Sequence, residues 1–235
     1  MELYDVGMSS LAVAEADALA ELLEWACSDD EARAADARAL RADASATRAA
    51  IVATLWDESR LVFADRFTNG TRSDRVAPTS FYALLARAAT DAQAERTIGA
   101  WLTNASRFGV RPDDGRSDAF PAPNAANREN YWGLPSISAD DAAFPPLGYW
   151  RGYVWGPMAQ LVHWSLEAYD HVPKAREARL TLSAQMSAMM MDQWERGRRV
   201  CENFSPRANA TDCTGTGFYT WGALSGLIRL VDAGA

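Results

Sequence analysis

The feature that most constrains the fold of this chain is an alternation between helical segments with one solvated face and segments that are apolar nearly all round. Residues 30–57 and 173–197 place apolar side chains on one helical face and charged side chains on the other. Residues 153–170 are apolar on almost every face, and 218–231 are rich in apolar and small residues. This alternation predicts helical hairpins in an inner and an outer layer, as in an α/α toroid, although an irregular helical bundle has the same periodicity.

The periodicity predicts an all-α chain of about seven helices, with one short strand-like run at 60–67 that favours a small hairpin. The predicted helices cover about 9–27, 30–57, a third that starts at 78–79 with Thr79 or Ser80 as its cap, 91–103, 153–170, 173–197 and 218–231. The residues that share one face are Leu11, Ala14, Ala18, Leu22 and Trp25 in the first helix, Leu40, Ala44, Thr47, Ile51 and Leu55 in the second, and Leu180, Ala184, Ser187, Met191 and Trp194 in the sixth.

Composition narrows the classes of function. The chain has 235 residues, of which 49% are apolar, so one sizeable core is within reach. The formal net charge is -8 and no basic stripe is present, which argues against nucleic acid and anionic membranes as partners. No apolar run approaches the length of a membrane span. The first ten residues, MELYDVGMSS, do not resemble a signal peptide, so the compartment stays open, and the secretory pathway or the ER lumen fits if a leader precedes them.

The sequence also argues against a metal or phosphate site. His163 and His171 lie far from any cysteine pair, so no zinc-binding spacing exists. His163 lies in the most apolar helix and fits a hydrogen-bonded core histidine better than a catalytic base. The GTG triplet at 215–217 has neither the preceding strand nor the lysine of a phosphate-binding loop, which favours a turn. We therefore expect neither a metal nor a cofactor.

A long segment separates the fourth and fifth predicted helices. It covers 104–148 and contains Phe120, Tyr131, Trp132 and Phe144. Disordered segments are poor in aromatic residues, and long loops in compact domains are usually functional. We expect this segment to pack over one rim of a cleft.

Two aromatic stretches and one carboxylate form the candidate site. GYWRGYVWGP (148–157) and FYTWGALSGL (218–227) place flat side chains at the starts of two apolar helices. RVCENFSPRANATDC (199–213) holds Glu202 in a non-helical segment between them. Aromatic faces beside arginine, asparagine and carboxylates suit a sugar, because rings stack on its C–H surfaces and polar groups bind its hydroxyls. The same aromatic residues also fit a structural role in which they wedge helix ends together.

At these residues the chain resembles a known family. YWRGYVWGPMAQLVHWSLEAYD, followed by CENFSP and NATDCTGTGFYTWGALSGLI, strongly resembles glycoside hydrolase family 63. That family contains the processing α-glucosidase (mannosyl-oligosaccharide glucosidase) and related bacterial α-glycosidases, and its clan includes the trehalases. LYDVGMSSLAVAEADALAELLEWA, PTSFYALLARAAT and LPSISADDAAF are similar to the same family, so the resemblance covers nearly the whole chain.

The resemblance implies an (α/α)6 barrel and hydrolysis with inversion, which needs two carboxyl groups about 6.5–9.5 Å apart with a water between them. The glutamate of the family's Glu-Asn-Tyr/Phe block, which looks like the general base, falls on Glu202. The substrate is then an α-linked oligosaccharide. The residues that the resemblance assigns to substrate binding are Trp150, Arg151, Trp155, Asn203 and Trp221.

The general acid of the family resides in a Gly-x-Asp motif ahead of the block that resembles LYDVGMSSL. This chain has no such motif, and Asp5 resembles a different family position. A family toroid has twelve helices, so residues 1–235 are expected to be a single, partial catalytic domain from the C-terminal part of the barrel. Alone it should be inactive or nearly so, and self-association or a partner should cover its exposed inner face.

Two other functions and one disulfide remain open from the sequence. A non-catalytic carbohydrate-binding or assembly module would account for the missing acid, and a trehalase-like hydrolase belongs to the same clan. Cys201 and Cys213 bracket the segment of Glu202 and form either one disulfide or two free thiols.

Overall fold

The structure is a computed structural model that describes residues 2–27, 30–110, 132–144, 147–206 and 213–234. The helices within these residues are α1 (Val6–Ala26), α2 (Glu31–Leu55), α3 (Tyr82–Leu85), α4 (Asp91–Thr97), α5 (Gly156–Glu167), α6 (Pro173–Gly197) and α7 (Thr220–Gly234). A 3-10 turn over Pro78–Phe81 leads into α3, and a π-helical turn over Ile98–Leu102 extends α4. The predicted all-α class and the number of helices are confirmed for the described part of the chain.

Short strands tie the loops together. The strands are β1 (Leu3–Tyr4), β2 (Trp56–Asp57), β3 (Val62–Phe63), β4 (Arg66–Phe67), β5 (Asn203–Phe204) and β6 (Cys213–Thr214). All three pairings, β1 with β4, β2 with β3 and β5 with β6, are antiparallel. The strand-like run at 60–67 therefore supplies β3, which forms a small hairpin with β2 directly before it, and β4, which pairs with β1.

The helices form two layers. In the inner layer α1 packs on α3, α3 on α5 and α5 on α7, while α2 covers α1 and α6 covers α5 and α7. A Cβ added at Gly7 would lie 3.0 Å from Cβ of Thr79, so α1 and the turn before α3 begin side by side. A Cβ added at Gly156 would lie 1.9 Å from the carbonyl oxygen of Trp221, so α5 and α7 also begin side by side. We call this end of the inner helices the N-terminal rim.

Side-chain caps fix the starts of three helices. Asp5 accepts a hydrogen bond of 2.6 Å from the Met8 N–H at the start of α1, and Asp30 caps α2 in the same way. Thr90 and Gln93 form a capping box at the start of α4. The predicted caps of the third helix are wrong, because the chain enters it at Ala77 and Pro78 sets the first turn without a side-chain cap.

The predicted faces were correct for one helix and wrong for two. Ala44, Ile51 and Leu55 are buried in α2, as predicted. In α1, by contrast, Leu22 and Trp25 are 56% and 81% exposed. The residues that α1 buries are Val6, Gly7, Ser10, Val13 and Ala20. Small side chains let α1 approach its neighbours closely, so the packed face is set by close approach rather than by the largest apolar residues.

In α6 the predicted stripe is also displaced. Leu180 and Met191 of that stripe are exposed. The buried face instead includes Ala175, Ala178, Leu182, Met186 and Met189, which contact the inner layer. The residues of α6 repeat on two faces, and the buried face packs against α5 and α7.

The two ends of the inner layer expose apolar side chains. These are Leu19, Leu22 and Trp25 on α1 and Leu227, Leu230 and Val231 on α7. Among the described residues, no helix combines the length and hydrophobicity that crossing a bilayer requires. The same residues hold no group of three or more potential metal ligands.

Candidate active site

A tight turn presents two aromatic side chains at the N-terminal rim. The backbones of Gly148 and Arg151 exchange hydrogen bonds of 2.9 and 2.8 Å, which leaves Tyr149 and Trp150 as a two-residue loop. Tyr149 is 44% exposed and Trp150 is 51% exposed. The sequence motif YWRG is thus the tip of a hairpin that leads into α5.

A buried tryptophan supports this turn. The ring of Trp150 stacks on Trp155 with centroids 3.8 Å apart and an interplanar angle of 7°, and Tyr149 meets Trp155 edge-on at 4.7 Å. Trp155 is only 1% exposed, and its Nε1 donates to the carbonyl oxygen of Tyr149 over 3.0 Å. Trp155, which the family resemblance assigns to substrate binding, therefore lies beneath Trp150 and supports the turn.

The start of α7 supplies the second aromatic surface. Trp221 is 38% exposed, and its centroid lies 5.9 Å from that of Trp155. Tyr219 meets Trp221 edge-on at 5.6 Å and is itself exposed. Trp150 and Trp221 consequently flank the buried Trp155 and offer ring faces to solvent at the same rim.

Two glycines allow the backbones of this region to touch. Gly156 leaves room for the carbonyl of Trp221, and a Cβ at Gly222 would lie 1.9 Å from the carbonyl oxygen of Cys201. The dipeptides Trp155-Gly156 and Trp221-Gly222 therefore each combine a site tryptophan with a position where only glycine fits. The starts of α5 and α7 and the segment of Glu202 are packed together at backbone distance.

Glu202 lies where this segment meets the aromatic turn. Val154 and Phe204 exchange two backbone hydrogen bonds of 2.9 Å, and the Glu202 N–H donates to the carbonyl of Thr214 over 3.2 Å. These contacts bring Glu202 beside the turn, where the Tyr149 hydroxyl donates to Glu202 Oε1. The carboxylate is half-buried.

Gly215 accommodates the carboxylate from the other side. Its φ is +83°, a conformation that favours glycine. A Cβ there would lie 2.5 Å from both Cβ and Oε2 of Glu202. The GTG triplet forms a bend between β6 and α7, and its first glycine also leaves space for Glu202, which the sequence did not reveal.

The contact with Glu202 changes the chemistry of Tyr149. The hydrogen bond to Glu202, burial and the negative charge of Glu202 together raise the pKa of Tyr149 to about 12. Tyr149 therefore remains a neutral hydrogen-bond donor throughout the physiological pH range. Tyr149 was absent from the predicted site, although it stands directly before Trp150 in the motif.

The remaining predicted site residues lie close to Glu202 in sequence or in space. Arg151 is exposed, and its guanidinium has no hydrogen-bond or ion-pair partner among the described residues. Asn203 is fully buried, and its Oδ1 accepts a hydrogen bond of 2.7 Å from the Thr214 hydroxyl.

The cysteines are described only in part. Cys201 is buried and disulfide-bonded, whereas Cys27 carries a free thiol. The side chain of Cys213 lies outside those that the structure describes, so its pairing with Cys201 stays a prediction.

Other residues considered from the sequence have structural contacts. His163 is fully buried in α5, and its Nε2 lies 3.0 Å from Oδ1 of Asp232, which also accepts from Arg179. The prediction of a hydrogen-bonded core histidine is confirmed.

Of the long segment at 104–148, residues 111–131 and 145–146, with Phe120 and Tyr131, lie outside the described residues. Trp132 is buried, and its backbone N–H donates to the carbonyl of Pro206, close to β5.

Comparison with known proteins gives one family and several related folds. The sequence model of one protein family, the mannosylglycerate hydrolase MGH1-like glycoside hydrolase domain, matches residues 1–222. Neutral trehalase from Saccharomyces cerevisiae has a TM-score of 0.69 at 18% identity, over 98% of this chain and 38% of that chain. The family 63 mannosylglycerate hydrolase from Thermus thermophilus, in complex with glucose, has a TM-score of 0.64 at 19% identity. The match covers 97% of this chain and 45% of that chain. No curated protein matches the sequence.

The chain thus spans less than half the length of these solved structures. At such low identity the likeness shows the fold alone. The matched structures have α/α toroid folds, and the inner and outer helical layers of this chain correspond to part of such a toroid. The predicted fold class is confirmed.

Proposed function

Because the chain belongs to the family of mannosylglycerate hydrolase MGH1-like glycoside hydrolase domains, within glycoside hydrolase family 63, we propose that Glu202 is the general base of an inverting α-glycoside hydrolase. The observation that carries this proposal is the hydrogen bond from Tyr149 to Glu202 at a rim where Trp150 and Trp221 expose their rings. A glucose-containing oligosaccharide is the substrate class that we infer.

The surroundings of Glu202 suit a base that activates water. Tyr149 donates a hydrogen bond to Oε1, and Gly215 lies close to Oε2 without a side chain that would clash with it. A water held near Oε2 would lose its proton to the carboxylate as its oxygen attacks the anomeric carbon. Inversion follows, because the leaving group departs on the opposite face of the sugar.

The aromatic surfaces divide into contact and support. We assign direct sugar contact to the exposed rings of Trp150 and Trp221, and hydrogen bonds to sugar oxygens to the exposed guanidinium of Arg151. Trp155 and Asn203 are buried, so we assign them to holding the contact residues and the base in place.

The general acid is part of the same proposal. It must be a carboxyl group about 6.5–9.5 Å from Glu202. We propose that it belongs to a part of the toroid that residues 1–235 do not include, which the short coverage of the matched structures, 38% to 45%, supports. Asp5 has a local role as the cap of α1. The self-association or partner expected at the exposed ends of the inner layer stays a prediction.

A second substrate class is favoured by one observation. Arg151 lies exposed beside the aromatic turn, with no partner for its guanidinium among the described residues, and would bind a carboxylate in the aglycone. A mannosylglycerate-like α-glycoside carries such a group, and the matching family model is named after that substrate. Trehalose, suggested by the fold of the neutral trehalase, lacks any charge.

A substrate panel on the complete natural protein tests these assignments. We expect hydrolysis of an α-glucosyl oligosaccharide with release of the β-anomer, detected by NMR, and a loss of rate of roughly 10²–10⁴-fold in Glu202→Gln. Glu177→Gln, an exposed glutamate on α6, is the matched control and should be unaffected. If mannosylglycerate or trehalose is hydrolysed faster than the α-glucosyl oligosaccharide, that compound is the substrate instead. Sugar binding without hydrolysis, lost in Trp150→Ala but retained in Glu202→Gln, would instead show a carbohydrate-binding module.

A further inference from the structure

Thr214 is bonded to the segment of Glu202 through both its backbone and its side chain. Its carbonyl oxygen accepts the Glu202 N–H over 3.2 Å, and its hydroxyl donates to Oδ1 of Asn203 over 2.7 Å. One residue of β6 thus holds two successive residues of the neighbouring segment, and the second bond involves side chains alone.

Asn203 makes this side-chain bond at a cost. It is fully buried, and its Nδ2 has no hydrogen-bond partner within the described part of the chain. A buried donor left unpaired is unfavourable. An apolar residue would fill the same position without that cost, so the contribution of Asn203 lies in where it directs the strand.

The geometry of a strand connects this bond to the base. Successive side chains of an extended segment point to opposite sides. If the Asn203 side chain is held on one side of the segment, the Glu202 side chain must therefore point to the opposite side. A small rotation of the segment would disturb the Glu202 carboxylate, since Tyr149 and Gly215 contact it from two sides.

We propose that Thr214 and Asn203 form a positioning pair that directs the Glu202 carboxylate toward Tyr149 and the substrate. This inference rests on the proposed role of Glu202 as the base. Thr214 and Asn203 act through Glu202 and touch no reacting atom. Removing the Thr214 hydroxyl alone lets the segment rotate and separates Glu202 from Tyr149.

Ionisation of Tyr149 reports this contact independently of activity. In the native protein, with its pKa at about 12, Tyr149 should be only about 3% ionised at pH 10.5. Once Glu202 has moved away, the pKa of Tyr149 should fall toward the ordinary value of about 10, at which roughly three-quarters of it would be ionised. NMR of protein labelled with ¹³Cζ-tyrosine measures this fraction, with Tyr149→Phe to assign the signal and circular dichroism at the same pH to verify folding.

The variants separate the hydroxyl from the rest of the turn. We expect Thr214→Val to show the large ionised fraction, and Thr214→Ser, which keeps the hydroxyl, to behave like the native protein. Thr216→Val is the matched control, because Thr216 is exposed in the same turn and makes only a long contact of 3.4 Å with the Phe218 carbonyl. A native-like ionised fraction in Thr214→Val, or a Thr214→Ser that resembles Thr214→Val, overturns the positioning pair.

A kinetic measurement at neutral pH decides the case if Thr214→Val does not stay folded at pH 10.5. In the complete natural protein we expect kcat to fall about tenfold with KM unchanged, because orientation of the base matters only in the transition state. An unchanged kcat contradicts the proposal. Failure of the proposed function looks different: Tyr149 would already ionise near pH 10 in the native protein, or Glu202→Gln would remain active.

Discussion

The hydroxyl of Tyr149 donates a hydrogen bond to Oε1 of Glu202, 53 residues later in the chain. The two residues meet because the backbones of Val154 and Phe204 pair with each other, which places the aromatic turn beside the segment of the base. Tyr149→Phe removes the hydrogen bond and keeps the ring contacts with Trp150 and Trp155.

Loss of this hydrogen bond should slow catalysis. Hydrogen bonds to charged groups contribute roughly 1.5–3 kcal/mol, so kcat/KM of the complete natural protein should fall about 10–100-fold in Tyr149→Phe. Tyr4→Phe, which changes an exposed tyrosine in β1, is the control. An unchanged kcat/KM in Tyr149→Phe would show that the contact does not support the base.

Gly215→Ala should damage both stability and activity. A non-glycine residue at φ +83° is strained, and the added Cβ would lie 2.5 Å from Glu202 Oε2. We expect a loss of about 1–3 kcal/mol in the free energy of unfolding, measured by urea denaturation, and a fall in kcat of at least tenfold. Gly217→Ala is the control, since its Cβ would have ordinary contacts at 3.5 Å. Equal behaviour of the two variants would show that Gly215 leaves no space that Glu202 needs.

Asp232→Ala should destabilise the docking of α7. The Asp232 side chain is 5% exposed and bonds both His163 of α5 and Arg179 of α6. Removing one partner of a buried ion pair typically costs roughly 3–5 kcal/mol. Asp36→Ala breaks the exposed pair of Arg33 and Asp36 and should cost under about 0.5 kcal/mol. Chemical denaturation measures both, and similar losses would contradict a buried network.

The number of reactive thiols tests the pairing of Cys201 with Cys213. Cys27 should be the single residue that iodoacetamide alkylates in unfolded, unreduced protein, and all three cysteines should react after reduction. Peptide mass spectrometry identifies the modified residues. Alkylation of Cys201 without prior reduction would refute the disulfide.

Local pattern was sufficient for the helices and for the segment that holds Glu202. The apolar character of α5 and the two-sided character of α2 follow from side-chain periodicity, and the interruption after α6 follows from Pro206 and its polar neighbours. The packed faces of α1 and α6 could not be predicted in the same way. They depend on which neighbour each helix meets in the folded chain, where Ala20 and Ala178 are buried while Leu22 and Leu180 are exposed.

The identities of the site residues could be predicted from the sequence, but the contacts between them could not. Trp150, Arg151, Trp221 and Glu202 all lie at one rim, and the family resemblance named them. The partnership of Tyr149 with Glu202 depends on a backbone pairing between segments some fifty residues apart, for which the sequence carries no local signal. The need for glycine at 215 depends on a positive φ and on a carboxylate that only the folded chain brings near.

The contact between Gly222 and the Cys201 carbonyl places the start of α7 against the backbone of the segment that holds Glu202. If α7 detaches, the backbone that carries the base loses its support while α1 and α2 can still remain folded. The proposed activity would then depend on the integrity of α7. Heating or proteolysis that frays α7 should abolish the proposed hydrolysis before the other helices melt.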